Sequence, residues 1–480
     1  MRKKTKIVAT ISDKKCDVDL IRQMYEAGMD VVRLNTAHQT HEDTLKVIRN
    51  VRAVSDKIAL LLDTKGPEIR TTKSDGDIPI KCNDIIAIKG DPNAITTPEC
   101  IYVSYPDFVN DVPVGSAILI DDGFLELRAI DKKGDRLICQ AMNDGVIQGR
   151  KSVNIPSVHV KLPTLSQKDI GFIHFAIEHD LDFIAHSFVR HKDDIMAIQN
   201  ILDEKESRIK IIAKIENQQG VDNIDEILDY AYGIMVARGD LAVEIPQEQI
   251  PGVQKMLIAK AVERRKPVIT ATQMLHSMIT SPRPTRAEVS DVANAIYDGT
   301  DAVMLSGETA YGEYPVKAVQ TMANIALQVE KSLKPLRETS YFILNNKITA
   351  FLIRSAVQAA IDLGAEVIIA DTITGRTIRG LAAYRGQKVI FAQCYDAKVM
   401  RELALSYGVM PNLAKMKKSN DEFISDAIDA LLERKRVKKD DLIVILAGNF
   451  GPTSGASFIE VSTVENMKLK SSMALQKSHA

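Results

Sequence analysis

The sequence lacks an excess of charge of either sign. It carries 62 Lys+Arg and 63 Asp+Glu in 480 residues, which leaves a formal net charge of -1 at pH 7. Such a balance gives no overall field that would attract nucleic acid or an anionic membrane surface. We therefore expect no nucleic-acid partner, and any anionic ligand must be held by a local cluster of cations.

Cysteine is scarce and scattered. The five cysteines are odd in number and show no C-x-x-C spacing. A disulfide framework or a cysteine-based metal site needs closer and more regular spacing. The pattern favours reduced structural thiols.

Long apolar runs are also absent. The N-terminal stretch MRKKTKIVATISDKKC begins with basic residues but has no continuous apolar segment or small-residue cleavage site, and no run elsewhere approaches a membrane span. We therefore expect a cytoplasmic protein without membrane association. A length of 480 residues with 45% hydrophobic content is enough for two to four well-buried domains.

What the sequence does contain is a regular alternation of strand and helix patterns. Amphipathic stretches at 17–28, 41–55, 192–206 and 251–265 lie between short runs rich in Val and Ile. This order indicates a parallel sheet, and eight such runs fit a (βα)8 TIM barrel better than an open doubly wound sheet. The eight predicted strands are 6–11, 31–35, 58–64, 183–189, 209–216, 233–240, 267–273 and 302–307.

Two regions depart from that rhythm. Between about 70 and 160 the pattern predicts short strands separated by Asp, Gly, Asn and Lys turns, which indicates a small β-barrel domain inserted as a lid. From about 340 an αβ pattern returns and predicts a C-terminal open α/β domain, followed by a polar tail expected to fray. We therefore assign 1–69 and 161–339 to the barrel, 70–160 to the inserted lid and 340–480 to the C-terminal domain.

The stretch IIAKIEN carries the strongest functional signal. Alternate residues of a strand point to the same side, so Lys214 and Glu216 share one space. Glu216 and Asp240, from the next strand, supply oxygens for a hard cation such as Mg2+. An isolated K-x-E is usually a structural ion pair. The polar residues at other predicted strand ends favour an active site instead, and they are Arg33, Asn35, Asp63, Thr64, Ser187, Asp240 and Thr272.

The motifs VVRLN, LLLDTKGPEIRT, KSVNIPS, AKIENQQG, ARGDLAVE and TATQML, taken in order, closely resemble the pyruvate kinase family. The resemblance extends over nearly the whole chain. It implies a glycolytic phosphotransferase that moves the phosphoryl group of phosphoenolpyruvate to ADP, giving pyruvate and ATP. It further implies Mg2+ and K+ as cofactors and a homotetrameric assembly.

The resemblance also implies roles for individual residues. Glu216 and Asp240 would bind Mg2+, while Lys214, Arg33 and Thr272 would act in catalysis. Phosphoenolpyruvate would be bound by Arg33, Lys214, Gly239, Asp240 and Thr272. The ADP site would consist of Asn35, His38, Arg70 and Lys151.

The implied K+ site uses Asn35, Asp63 and Thr64, with a family serine two residues after the asparagine. This chain has Ala37 there, although Glu68 matches the motif of K+-requiring members. In the C-terminal domain the sequence TITGRT resembles an effector loop for a sugar phosphate or a nucleotide. Its phosphate-binding residues would be Thr374, Gly375, Arg376 and Thr377. Ile373 replaces a lysine of some relatives, which leaves the effector's identity open.

Two alternatives stand beside this interpretation. Another phosphoenolpyruvate- or pyruvate-handling barrel, such as a carbon-carbon lyase, would use the same Mg2+ and enolate-stabilising cation. Arg70 and Lys151, on the nucleotide side, weigh against it. A non-catalytic metabolite sensor would use only the C-terminal domain, and the retention of Lys214, Glu216, Asp240 and Thr272 weighs against that.

Overall fold

The computed structural model describes residues 3–37, 39–156, 158, 160–333, 346–448 and 455–478. Its first segment alternates three strands with two helices. Helix α2 begins at a capping box, in which the Thr40 side chain accepts from the Asp43 N–H while the Asp43 carboxylate accepts from the Thr40 N–H. The elements are β1 (Lys6–Thr10), α1 (Val18–Ala27), β2 (Val31–Asn35), α2 (His41–Val54) and β3 (Ala59–Asp63).

The inserted segment is predominantly β structure with one short helix. Its elements are β4 (Ile78–Ile80), β5 (Ile85–Gly90), β6 (Cys100–Val103), α3 (Phe108–Asp111), β7 (Ala117–Ile120), β8 (Leu125–Lys133), β9 (Arg136–Ala141), β10 (Gly145–Ile147) and β11 (Val153–Asn154). One sheet has the order β11-β7-β8-β9-β5-β6, and β4 pairs with β10 in a two-stranded ribbon. Phe108, Ile118 and Leu127 belong to a buried cluster that the insertion forms by itself.

After the insertion the chain resumes the alternation of helix and strand. The elements are α4 (Gln167–Glu178), β12 (Phe183–His186), α5 (Lys192–Glu204), β13 (Lys210–Ile215), α6 (Gln218–Asp222), α7 (Ile224–Tyr230), β14 (Gly233–Ala237), α8 (Arg238–Glu244), α9 (Ile250–Glu263), β15 (Val268–Ala271), α10 (Arg286–Tyr297), β16 (Ala302–Leu305), α11 (Gly307–Ala310) and α12 (Pro315–Ser332). Two short 3-10 helices, 247–249 and 276–279, lie among them.

These strands close into the predicted TIM barrel. The order β1-β16-β15-β14-β13-β12-β3-β2 is a closed ring of parallel strands, and each of the eight predicted strands occupies one place in it. The barrel interior is filled by one apolar side chain or more from every strand, for example Val8, Leu61 and Met235. Because helices cover the outer face, most strand residues are buried on both sides, as is typical of parallel barrels. The four predicted helices are confirmed as α1, α2, α5 and α9.

The C-terminal domain is the predicted open α/β sheet. Its elements are α13 (Lys347–Asp362), β17 (Val367–Thr372), α14 (Arg376–Ala383), β18 (Val389–Cys394), α15 (Ala397–Glu402), a 3-10 helix (Leu403–Leu405), β19 (Val409–Leu413), α16 (Asn420–Glu433), β20 (Leu442–Gly448), β21 (Ala456–Thr463) and α17 (Val464–Ser478). The sheet order is β19-β18-β17-β20-β21, with β21 antiparallel to β20.

The expectation of a patternless, frayed tail is wrong over the described residues. Helix α17 runs from Val464 to Ser478 and packs on α16, where Lys468 forms an ion pair with Asp429. Val464 and Met467 are buried in the core of the C-terminal domain. Tertiary packing therefore stabilises a helix whose sequence has only a weak amphipathic pattern.

The C-terminal domain closes the end of the barrel opposite the carboxyl ends of its strands. Ala404 and Leu405 belong to the same buried cluster as the barrel interior. Buried ion pairs, such as Arg385 Nη2 with Asp301 Oδ2 at 2.7 Å, join the two domains. All five cysteines are free, as expected, and four of them are buried. None of the helices in the described ranges combines the length and apolar character needed to cross a membrane.

Candidate active site

Lys214 lies at the centre of a buried charge cluster at the carboxyl end of β13. Its Nζ is 2.9 Å from Glu216 Oε1 and 3.1 Å from Asp63 Oδ1, and it donates a hydrogen bond to Ser187 Oγ at 2.7 Å. Burial alone would lower the pKa of Lys214, but the carboxylates of Asp63, Glu216 and Asp240 outweigh it and raise the pKa. The side chain is therefore held as an ammonium in a site sheltered from water.

Arg33 joins this cluster from β2 through the same aspartate. Its Nε donates to Asp63 Oδ2 at 2.6 Å, and Nη1 donates to Thr10 Oγ1 at 3.0 Å. Burial would raise the pKa of Asp63, yet Arg33 and Lys214 lower it below its ordinary value. Asp63 thus fixes two cations side by side at one end of the barrel.

Glu216 and Asp240 are the two acids expected to bind a divalent cation. Glu216 is buried, and its Oε2 accepts a hydrogen bond from the Phe188 N–H at 2.6 Å. Burial raises the pKa of Glu216 to about 7, opposed by Lys214 and reinforced by the negative charge of Asp240. Asp240 is exposed and close enough to act on both Lys214 and Glu216. A hard cation between the two carboxylates would compensate the buried charge of Glu216 while remaining accessible from the side of Asp240.

Thr272 lies in a strained turn immediately after β15. Thr272 and Gln273 have φ values of 69° and 55°, and a β-branched residue rarely adopts this left-handed conformation. The Gly239 N–H donates to Thr272 Oγ1 at 2.7 Å, while that hydroxyl donates to the Ala271 carbonyl at 2.6 Å. Gly239 and Thr272 therefore face each other, as the sequence indicates for a shared cradle.

The Thr272 turn has a support that the sequence analysis missed. Arg238 is buried and donates to the carbonyls of Thr272 at 2.7 Å and Ala271 at 3.3 Å. Its Nη1 is 2.7 Å from Asp291 Oδ1 on α10. The sequence did offer one sign of this role, because Arg238 is a charged residue directly after the buried strand 233–237. Its partner Asp291 lies 53 positions further along the chain, so the contact could not be read from local spacing.

The residues predicted for K+ lie beside the cluster, at the ends of β2 and β3. Asn35 Oδ1 accepts from the Ala37 N–H at 3.1 Å. The Thr64 carbonyl accepts from Ser187 Oγ at 2.6 Å, which links Thr64 to the hydroxyl that Lys214 also contacts. His38, predicted for the nucleotide, lies outside the described residues.

Arg70 and Lys151 make their ionic contacts away from the barrel cluster. Arg70 Nε donates to Glu68 Oε2 at 2.8 Å, and its Nη1 donates to the Arg150 carbonyl at 2.7 Å. Lys151 Nζ is 2.9 Å from Asp121 Oδ2, within the inserted domain. In this conformation both cations predicted for the nucleotide are held by local acids.

A cleft separates the root of the inserted domain from the barrel. It has a volume of about 260 Å3 and is lined by residues of both, including Ile69, Val153 and Phe188. One hydrogen bond at its edge, from Asn154 Nδ2 to Glu244 Oε1 at 3.0 Å, connects β11 to helix α8. Helix α8 also carries Asp240, so this hydrogen bond connects the inserted domain to the helix that holds one of the two predicted Mg2+ ligands.

The predicted effector residues span the start of α14: Thr374 and Gly375 precede the helix, and Arg376 and Thr377 are its first two residues. Gly375 has φ 77° and its N–H donates to Thr372 Oγ1 at 2.8 Å, which shapes the loop ahead of Arg376. The sequence GPTSG, at 451–455, lies outside the described residues except for Gly455.

The barrel and its charge cluster together define a TIM-barrel enzyme whose site is built for an anionic substrate and a hard cation. Residues 2–319 match the family model "Pyruvate kinase, barrel domain", and residues 351–462 match "Pyruvate kinase, alpha/beta domain". The chain belongs to the pyruvate kinase family. That family's reaction is the transfer of the phosphoryl group of phosphoenolpyruvate to ADP, with a requirement for a divalent metal.

Named relatives agree with this assignment over nearly the full length. A pyruvate kinase of Borreliella burgdorferi is 48% identical over 469 residues, covering 97% of this chain and 98% of its own. A pyruvate kinase of Geobacillus stearothermophilus is 45% identical, with 98% of this chain and 82% of its own covered. The crystal structure of a pyruvate kinase from Cryptosporidium parvum superposes with a TM-score of 0.89 at 36% identity, covering 96% of each chain.

Proposed function

We propose that the charge cluster at the carboxyl ends of β2, β3, β13 and β14 carries out the pyruvate kinase reaction in this chain. The observation that carries the proposal is the Lys214 ammonium, fixed between Asp63 and Glu216 with Arg33 on the same aspartate. Phosphoryl transfer depends on alignment and on positive charge around the phosphoryl oxygens. This cluster supplies that charge from two fixed side chains.

Phosphoenolpyruvate binds with its phosphoryl group toward Arg33 and Lys214. Its carboxylate is held by the backbone N–H groups of Gly239 and Asp240 together with the Thr272 hydroxyl. The Gly239 N–H donates to Thr272 Oγ1 at 2.7 Å and the Thr272 hydroxyl donates to the Ala271 carbonyl, so both donors exchange their present acceptors for the carboxylate on binding. Their proximity supports a common cradle. Arg238 keeps that cradle in place by binding the Thr272 carbonyl.

Lys214 places its positive charge beside the transferring phosphoryl group and the enolate oxygen left behind. Thr272 participates in protonating the enolate carbon. In this structure the Thr272 hydroxyl donates its proton to the Ala271 carbonyl at 2.6 Å. The hydroxyl must break that hydrogen bond and rotate before it can point its proton toward the substrate. Thr272 has a left-handed backbone conformation, which is costly for a β-branched residue. Such strain is common at functional sites and supports a catalytic role for this residue.

The divalent cation is Mg2+, held by Glu216 and Asp240, and the monovalent cation is K+, held by Asn35, Asp63 and the Thr64 carbonyl. Both sets consist of hard oxygen donors, which fit these ions. A bound Mg2+ would neutralise phosphoryl charge and polarise the phosphoryl group for transfer. The raised pKa of Glu216 supports a site that favours a neutralising partner.

ADP binds between the barrel and the inserted domain, with Asn35 and His38 on the barrel side and Arg70 and Lys151 toward its phosphates. Because Lys151 is paired with Asp121 in the described conformation, nucleotide binding requires an exchange of partners as the inserted domain closes. Scattering curves with and without substrates and Mg2+ test this, and an unchanged radius of gyration would argue against closure.

The C-terminal domain is proposed as regulatory. Thr374, Gly375, Arg376 and Thr377 would bind the phosphate of a sugar phosphate or nucleotide effector, and the turn at Gly375 supports such a loop.

The family resemblance supports a cytoplasmic homotetramer, which sedimentation equilibrium tests. It also supports the proposed division at 69/70, 160/161 and 339/340, of which the last boundary lies outside the described residues.

A coupled assay of pyruvate formation from phosphoenolpyruvate tests the function as a whole. We expect pyruvate only when ADP and Mg2+ are both present, with ATP formed in equal amount. Pyruvate release without ADP would instead indicate a lyase or phosphatase. No turnover with a folded protein would favour a non-catalytic sensor.

A further inference from the structure

A second cavity lies at the opposite end of the barrel from the charge cluster. Its volume is about 250 Å3, large enough for a small organic anion, and it opens at the start of β13. Polar and charged side chains dominate its wall. The lining residues used below are Arg208, Lys210, Tyr230, Tyr232 and Lys266.

Two of the cations at this cavity have acidic partners. Arg208 Nη1 is 2.7 Å from Asp396 Oδ2, and Lys210 Nζ is 3.8 Å from Glu402 Oε1. Both acids belong to the C-terminal domain, whereas the wall itself is formed by barrel residues, so the cavity lies where the two domains meet. These pairs account for the first two positive charges.

Two further cations have no acidic partner within 4 Å in the described part of the chain. Lys266 Nζ donates to the Ala231 carbonyl at 2.7 Å, and Arg379 Nη1 donates to the Tyr232 hydroxyl at 3.3 Å and to the Thr374 carbonyl at 3.4 Å. The Arg379 guanidinium also lies over the Tyr232 ring, 5.1 Å from its centroid. Neutral acceptors thus orient both groups, while acidic charge reaches them only from beyond ion-pair distance, from Asp229 to Lys266 and from Glu402 to Arg379.

Lys266 and Arg379 approach each other from different domains. Both line a smaller void of about 10 Å3, and Lys266 also lines the larger cavity. Burial, followed by the positive charge of Arg379, lowers the pKa of Lys266 to about 8. Positive charge that is partly buried and close together is costly unless an anion accompanies it.

We propose that the larger cavity is a binding site for a phosphate-class anion, either inorganic phosphate or a small phosphate monoester. Its principal anchors are Lys266, which lies in the cavity wall, and Arg379, which contacts Tyr232 of that wall. The oxyanion would lie beside Lys266, where it would bridge the barrel and the C-terminal domain. Tyr230 and Tyr232 offer aromatic surface for an organic group. The proposal is independent of the catalytic roles above.

The position of the cavity gives such an anion a mechanical connection to the active site. Residues 209–211 line it and begin β13, whose other end carries Lys214 and Glu216. Lys266 likewise precedes β15, which ends before Thr272. An occupied cavity would therefore fix the starts of two strands that present catalytic groups.

The absence of tryptophan from the sequence permits a direct test. Tyr230 is 50% exposed at the cavity, so Tyr230→Trp introduces a single fluorophore at its wall. The full-length variant is titrated with inorganic phosphate and, separately, with phenyl phosphate, against chloride at the same ionic strength. We expect a saturable emission change with the phosphate probes and only a small linear change with chloride.

Lys266→Met and Arg379→Met, each in the Tyr230→Trp background, should weaken phosphate binding by about tenfold or more, the loss expected for one charge-assisted contact. Lys255→Met is the matched control, because Lys255 is 72% exposed on α9 and pairs with Asp298. It should leave the dissociation constant unchanged. Circular dichroism confirms folding, and the second variant provides the test if the first does not fold.

The two probes distinguish the source of the anion. Equal affinities indicate that the oxyanion alone is recognised, whereas tighter binding of phenyl phosphate indicates a monoester; both outcomes support the site. A response without saturation, or one unchanged by Lys266→Met and Arg379→Met, overturns the proposal. So does a response that Arg376→Met abolishes while those two variants retain it, since phosphate would then be bound at the loop before α14.

Discussion

The barrel cluster and the inserted domain hold their charged residues in contrasting ways. In the barrel, Lys214 is 11% exposed and contacts acids from two different strands. In the inserted domain, Lys151 is 32% exposed and contacts Asp121 of the same domain. The first arrangement is fixed by the strands that form the core, while the second is a local pair at the surface.

This difference suggests how the work of the site is divided. Groups that must stabilise developing charge gain from being rigid before substrate arrives, because little reorganisation is then needed. Groups that close over a nucleotide must instead exchange one partner for another. The Asn154–Glu244 hydrogen bond connects the two regions through α8.

The largest effect is expected from Lys214→Met, which removes the central charge of the barrel cluster. Loss of one such electrostatic stabiliser costs about 3 kcal/mol or more, or at least roughly a hundredfold in kcat. The fold and Mg2+ binding should persist, since Lys214 is not a proposed metal ligand. Steady-state kinetics and isothermal titration with Mg2+ measure the two properties.

Lys192→Met is a suitable control for that variant. Lys192 is 44% exposed on α5 and pairs with Glu226 at the surface, so its removal should change kcat by less than twofold. Turnover of Lys214→Met within tenfold of the unsubstituted protein would contradict the central role of this ammonium.

The next largest effect is expected from Arg238→Met, which tests whether rigidity of the barrel site depends on support outside the cluster. Without the bonds to the Ala271 and Thr272 carbonyls, the left-handed turn should relax. A displacement of about 1 Å can cost on the order of a hundredfold in rate. We expect kcat/KM for phosphoenolpyruvate to fall by that order, with little change in KM for ADP.

Asp291→Asn provides a graded comparison, because it weakens the 2.7 Å ion pair while leaving Arg238 in place. Its loss should be smaller, within about tenfold. Equal losses in the phosphoenolpyruvate and ADP constants of Arg238→Met would indicate general disruption rather than a displaced turn.

The fold was largely predictable because its signals are local. Each barrel strand is an apolar run bounded by polar residues, and the polar residues at the strand ends converge once parallel strands close into a barrel. Lys214 and Glu216 were accordingly placed together from a spacing of two. The Arg238–Asp291 contact and the Ser187 hydroxyl beside Lys214 depend on how distant segments pack, which spacing alone does not encode.

Helix α17 illustrates the same limit for secondary structure. Among its described apolar side chains, Val464 and Met467 face the domain core whereas Leu469 and Met473 are exposed, so the sequence lacks the regular stripe that predicts a helix. Its stability depends on α16, which becomes a neighbour only after folding. Likewise, the pairing of Lys151 with Asp121 depends on the conformation of the inserted domain rather than on its sequence pattern.

A third effect concerns the stability of the barrel at acidic pH. His186, in β12, is buried, and neither ring nitrogen has a hydrogen-bond partner within the described part of the chain. Burial lowers its pKa to about 4, against the opposing charges of Asp194 and Asp169. The unfolded chain therefore binds the proton more readily, and stability is lost as the pH falls from about 6.5 toward 4.

This linkage amounts to about 2 kcal/mol between pH 7 and pH 5 for a single histidine. Urea unfolding at pH 7 and pH 5 gives the free energy of unfolding at each pH. His186→Leu should reduce the difference between the two values by that amount, whereas His174→Gln, at an exposed position, should leave it unchanged. Identical pH profiles for His186→Leu and the unsubstituted protein would contradict the assignment.

A smaller effect is expected in the inserted domain itself. Lys151→Met removes a charge-assisted contact to the nucleotide and should raise KM for ADP by about tenfold, with kcat for bound substrates less affected. Asp121→Asn removes the competing acid and should lower that KM by a few-fold. If Asp121→Asn instead raises it, the pair supports the bound conformation and does not compete with ADP.

The smallest effect concerns the monovalent cation, whose proposed site lies between the barrel cluster and the inserted domain. Glu68 matches the form of the motif found in K+-requiring relatives, and it is bound to Arg70 at 2.8 Å. Two anionic substrates held close together repel each other, and a bound K+ reduces that repulsion where no lysine does so. We therefore expect activation by K+ at fixed ionic strength, measured against tetramethylammonium.

Ala37 should make that activation weaker than a full ligand set would. Asn35, Asp63 and the Thr64 carbonyl provide oxygens, but the position that is serine in the family has no hydroxyl here. Ala37→Ser should lower the K+ midpoint by a few-fold, while Ala37→Cys, of similar size but with a soft sulfur, should not. Equal activity in tetramethylammonium and in saturating K+ would show that the site is dispensable, because the cluster of Arg33 and Lys214 would then suffice to hold both substrates.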